Sequence, residues 1–130
     1  MAGRQYYNPE AFRNVTEDGK VIGYSFEIKA QYYRGITLSI IRDLKVTVDG
    51  ETADRENVRL TINGVMFTLE ECRTVIDSDY RWEFGDYATV TVLKEGGLTD
   101  GPHHILCHQS IAPSYMPFTV EADCEADFTI

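Results

Sequence analysis

Little in this sequence would fasten the chain covalently, insert it into a bilayer or seat it on a polyanion. Its 130 residues contain three cysteines, Cys72, Cys107 and Cys124, an odd number at unrelated spacings that offers neither a disulfide framework nor a C-x-x-C metal or redox pair. That usage points to a reducing compartment. Uninterrupted apolar runs are only a few residues long, against the roughly 20 needed to cross a bilayer. The opening Met1-Ala2-Gly3-Arg4-Gln5 lacks the apolar core of a secretory signal, so a cytoplasmic location is expected. Basic residues are scarce, 12 Lys and Arg against 21 Asp and Glu for a net charge of −9, which disfavours nucleic acid because phosphate neutralisation needs a Lys/Arg-rich face. Also missing are a Gly-x-Ser-x-Gly elbow, a Ser-His-Asp order and a phosphate-cradling glycine loop with its lysine. An autonomous nucleophilic hydrolase is thereby disfavoured.

What the chain does have is alternation. From Phe118 to Ile130 the residues Phe118, Val120, Ala122, Cys124, Ala126, Phe128 and Ile130 share one parity, and Thr119, Glu121, Asp123, Glu125, Asp127 and Thr129 the other. Strand side chains repeat with period two, so this is a strand with one face on a core and one in water. Tyr24, Phe26, Ile28, Ala30 and Tyr32 alternate in the same way, as do Ile36, Leu38 and Ile40 and then Leu44, Val46 and Val48. A bulge or bend near Ile41 would keep both of those last halves facing inward. Asn63-Gly64 between Val58–Ile62 and Val65–Leu69 predicts a type I′ hairpin pairing Ile62 with Val65, Leu60 with Phe67 and Val58 with Leu69. Thr68 through Glu71 fits a capping box, giving a helical turn to about Val75. Trp82 to Leu93 and the run around His104, Leu106 and His108 read as further strands, Asp77-Ser78-Asp79 as a loop, and Tyr6 and Tyr7 as anchors of a docked N-terminal segment. With no long helical periodicity, the expected fold is all-β: one antiparallel β-sandwich or jelly-roll-like domain over residues 1–130.

Two clusters invite chemistry. His103, His104 and His108 are the only histidines, but on a strand His103 projects opposite to the other two. A metal shared by His104 and His108 would need an Asp or Glu from elsewhere, and histidines satisfied by polar neighbours explain the cluster as well. The row Glu121, Asp123, Glu125, Asp127 places acids roughly 6.5–7 Å apart. That permits a calcium or carboxylate-pair site, a solvated edge strand, or a face that meets a basic strip on a partner. Cys107 beside His108 is no dyad, because adjacent strand residues face apart. Gln31-Tyr32-Tyr33-Arg34-Gly35 and Ser114-Tyr115-Met116-Pro117-Phe118 are rich in the residue types that partners desolvate.

Tyr32-Tyr33-Arg34-Gly35-Ile36 with Leu38-Ser39, then Val48-Asp49-Gly50, Trp82-Glu83-Phe84-Gly85, Gly96-Gly97-Leu98, Gly101 with His103 or His104, and Ser114-Tyr115-Met116-Pro117 occur in that order. Together they resemble the small β subunit of bacterial C-glycoside deglycosidases, over about Arg13 to Phe118. The resemblance implies a β-sandwich subunit in a hetero-oligomer with a larger α subunit of sugar-isomerase-like TIM-barrel type. It places a divalent metal, commonly manganese, and a histidine base in that partner. The complex would cleave the C–C bond between a 3-oxo sugar and an aromatic aglycone such as a flavonoid, the 3-keto group acidifying the C2 proton so that the aglycone leaves C1 by elimination. In this chain it implies no catalytic residue, metal or cofactor, and assigns Tyr32, Tyr33, Arg34, Tyr115, Met116 and Pro117 to partner contact. A stand-alone carbohydrate- or calcium-binding sandwich using the terminal acidic row is the alternative from another class.

Overall fold

The computed structural model describes residues 4–30, 35–75, 80–83, 85–112 and 119–130. The strands are β1 (Arg13–Glu17), β2 (Lys20–Ile28), β3 (Ile36–Thr37), β4 (Ile41–Val48), β5 (Glu51–Thr52), β6 (Val58–Ile62), β7 (Val65–Thr68), β8 (Arg81–Trp82), β9 (Ala88–Leu93), β10 (Pro102–Ile111) and β11 (Val120–Thr129), with one short helix, α1 (Leu69–Cys72). They form a five-stranded sheet in the order β1-β2-β9-β6-β7, a four-stranded sheet in the order β11-β10-β4-β5, and a β3-β8 pair. Every strand pairing among the described residues is antiparallel. Inward residues of both large sheets, among them Phe26, Val90 and Leu60 from one and Val46, Ile105 and Cys124 from the other, belong to a single buried cluster. The fold is an all-β sandwich.

Local chemistry sets the turns. Asn63 and Gly64 both adopt positive φ, 50° and 78°, the conformation a type I′ hairpin requires, and Ile62 pairs with Val65 and Leu60 with Phe67. The third expected pair does not form. Thr68 instead caps α1: its side chain accepts from the Glu71 N–H at 3.0 Å while Glu71 accepts from the Thr68 N–H at 2.9 Å, and Leu69 turns inward as the first helical residue. The helix ends at Cys72, before Val75. The Asp49-Gly50 hairpin and an Asp18-Gly19 hairpin, which adds β1 to the sheet edge, use the same left-handed geometry.

The stretch from Ile36 to Ile40 is not one strand. After Ile36–Thr37 it becomes a 3₁₀ turn over Leu38–Ile40, which still buries Leu38. The bulge beyond it is present: Ile111 pairs with Ile41 and Ser110 with Asp43, leaving Arg42 as the extra residue that brings Ile41 and Leu44 to the same face. Trp82 and Ala88–Leu93 lie on separate strands, and β2 ends at Ile28, although Ala30 remains buried. The N-terminal segment is docked, with the Tyr7 hydroxyl donating to the Cys124 carbonyl at 2.7 Å and Phe12 stacked on Phe128 at 4.1 Å. None of the helices among the described residues is long and apolar enough to cross a membrane.

Candidate functional site

The register of β10 against β11 builds a concentrated array of titratable groups among the described residues. His104 stands opposite Asp127, Leu106 opposite Glu125, His108 opposite Asp123 and Ser110 opposite Glu121. Period two puts all eight on the same face, outward, while Ile105, Cys107, Cys124 and Ala126 point into the core. The His104 ring approaches Asp127 at 2.8 Å and Glu125 at 3.6 Å. His108 is held from both sides, by Asp123 at 2.5 Å on Nδ1 and Glu121 at 2.9 Å on Nε2. The Ser110 hydroxyl donates to the other Glu121 oxygen at 2.6 Å. The carboxylates that face these histidines are therefore those of the acidic row. Its spacing is visible in the sequence; its register against the histidines depends on how β10 and β11 pair.

The electrostatics follow the pairing. Hydrogen bonds from Ser110, Thr119 and His108 pull the Glu121 carboxyl down to about 2. His108 is raised by its bonds to Glu121 and Asp123, and His104 by its bond to Asp127. Both imidazoles are therefore biased toward the cation, and each faces carboxylates of β11. On β4, Lys45 stands opposite His108, so the two β10–β4 partners there are both basic.

His103 faces the other way, as strand parity requires, and is buried. Its Nε2 lies 2.7 Å from the Thr99 carbonyl and its Nδ1 2.6 Å from Asp49. A carbonyl can only accept, so Nε2 carries a proton. Asp49 is held below the usual carboxylate range by His103 and by the His104 backbone N–H, so Nδ1 carries one as well. The resulting imidazolium clamps the β4–β5 turn to the β9–β10 connection, and its ring stacks on Phe128. Sequence reading found its direction but not this partner, which lies 54 residues away.

The expected contact residues Tyr32, Tyr33, Arg34, Tyr115, Met116 and Pro117 lie outside the described residues, as does Asp77-Ser78-Asp79. The described residues that flank the two contact segments converge: Gln109, fully buried, donates from its side chain to the Lys29 carbonyl at 3.0 Å, and the Ala112 N–H donates to Ile40 at 2.8 Å. Among the described residues no group of three His, Cys, Asp or Glu is placed to hold a metal ion. The three thiols are unpaired and buried, and burial pushes Cys72 up to about 11 and Cys124 to about 12.

The structure is an all-β module in which each of the three histidines is paired with a carboxylate of the same chain. Comparison with known proteins gives that module a family. Residues 2–115 match the family described as C-glycoside deglycosidase beta subunit, and the chain belongs to it. It is 32% identical over 125 residues, 95% of this chain and 84% of the relative, to a C-glycoside deglycosidase beta subunit of Eubacterium cellulosolvens. It is 31% identical over 102 residues, 76% and 71%, to one of Microbacterium trichothecenolyticum. A 3'-dehydrocarminate deglycosidase beta subunit of a Microbacterium species is 33% identical over 108 residues, 81% and 80% of the two chains.

Proposed function

We propose that residues 1–130 form one domain that serves as the non-catalytic β subunit of a bacterial C-glycoside-cleaving lyase. Its partner is a larger α subunit of TIM-barrel type, which carries the divalent metal, manganese, and the base. The complex acts in the cytoplasm on 3-oxo-C-glycosides of flavonoid type. There the 3-keto group acidifies the C2 proton, and loss of that proton lets the C1–aglycone bond break by elimination. The family match over residues 2–115 carries this reading. The engagement of His103, His104 and His108 by carboxylates of this chain supports a base supplied from elsewhere. The three unpaired thiols favour a reducing compartment.

The partner contacts we assign are Tyr32, Tyr33, Arg34, Tyr115, Met116 and Pro117, because the flanks of both segments meet at one end of the sandwich. The test is co-expression with a sugar-isomerase-like α subunit, followed by size exclusion and an assay on a 3-oxo-C-glycoside. One co-eluting species with metal-dependent turnover, and no turnover by this chain alone, is the expected result. Full activity of the isolated chain would reject the subunit role. A Tyr33→Ala/Tyr115→Ala variant that co-eluted as tightly as the wild type would remove those two tyrosines from the interface.

A further inference from the structure

At the opposite end from those flanks, the length of β4 away or roughly 23 Å at about 3.3 Å per residue, the two large sheets part around a cleft of about 350 Å³. Its apolar floor includes Val48 and Val92, both buried, and its rim carries Glu51, Asn57 and Lys94. Tyr24 also lines it, with only 4% of its surface exposed. Tyr24 and Tyr7 are equally buried, yet they differ in one respect. The Tyr7 hydroxyl is paired with the Cys124 carbonyl, whereas among the described residues the Tyr24 hydroxyl has no hydrogen-bond partner. A buried hydroxyl without a partner is costly, and here it stands beside open space.

We propose that this cleft binds a neutral, hydroxyl-rich small molecule of monosaccharide size. The volume falls within the roughly 300–1,000 Å³ range of small-molecule sites, at the small end. Neutrality follows from the charges. Burial holds the Tyr24 phenol in its protonated form, so it offers a neutral donor and acceptor. Glu51 is paired with Lys94 at 3.3 Å, which leaves no uncompensated cation for an anion to seek, and Asp54 and Glu95 beside it repel one. The side-chain amide of Asn57 has no partner among the described residues either, and supplies a second donor and acceptor. A pyranose lays its C–H face on valines and its hydroxyls on such groups. The clamp between His103 and Asp49 holds the turn that presents Glu51, so the rim is preorganised.

The site is independent of the proposed subunit role, since every residue that lines it belongs to this chain and none is among the assigned partner contacts. The test is an amide ¹H–¹⁵N titration of the full chain with D-glucose as probe and D-gluconate as its anionic counterpart. Progressive shifts at Thr52, Asn57, Lys94 and Leu98, saturating in the millimolar range, are expected with glucose and not with gluconate. Tyr24→Phe, whose ring refills the same space, should weaken binding about five- to tenfold, the worth of one neutral hydrogen bond. Asn57→Ala provides the same test at a half-buried position. Absence of shifts at these amides, equal response to gluconate, or undiminished binding by both variants would overturn the proposal.

Discussion

His103 illustrates how one side chain can hold two distant turns. Replacing it with alanine removes a donor to Asp49, a donor to Thr99 and the stack on Phe128, leaving the Thr99 carbonyl without its partner. The expected loss is about 1–3 kcal/mol of unfolding free energy, read as a lower urea midpoint at unchanged slope. His103→Gln, which reaches one acceptor at a time, should fall between alanine and the wild type. A variant as stable as the wild type would show that the clamp is ornamental. Strand parity predicts that His103 turns inward, but a periodic pattern carries no information about a loop 54 residues away, so Asp49 was invisible in the sequence.

The hairpins are where local sequence and structure agree most closely. Gly64 has φ +78° and nothing within 4 Å of where a Cβ would stand, so substitution there meets backbone strain alone. Gly64→Ala should cost about 1–2 kcal/mol by chemical denaturation, with the register of β6 and β7 retained in amide spectra. A cost near zero would contradict the left-handed turn. Asn63-Gly64 and the Thr68–Glu71 cap were both legible because their chemistry is contained within a few residues. They also competed: the cap took Leu69 out of the hairpin, and a completed pair of helix-end hydrogen bonds outweighed one more cross-strand contact. The 3₁₀ turn at Leu38–Ile40 was not legible, because Leu38 is buried whichever way the backbone runs.

For the protein as a whole, the β10–β11 ladder and the His103 clamp tie stability to pH. All three histidines are raised above their ordinary 6.5 by hydrogen bonds to acceptors in the folded state. Their contribution is therefore complete below about 6.5 and is lost as pH rises through the raised values. Glu121 is lowered from 4.5 to about 2, so its contribution is present above 4.5 and lost as pH falls toward 2. Unfolding free energy measured in urea across pH should peak between these limits, from about 4.5 to 6.5. His103→Gln/His104→Gln/His108→Gln should flatten the alkaline limb and make the acid limb shallower, since His108 and His103 help lower Glu121 and Asp49, while the part that Ser110 and Thr119 give Glu121 stays. A stability that rises steadily from pH 6 to 8 would contradict the charged ladder.

Composition and period-two patterning were sufficient for an all-β chain, for the inward face of each long strand and for two of its tight turns, since each of these depends on interactions within a few residues. The meeting of the acidic row with His104 and His108, the closure of the sandwich by Tyr7 on Cys124, and the cleft beside Tyr24 required the folded chain. Each joins residues from separate segments of the chain, and which segments become neighbours is a property of how two sheets bury one core.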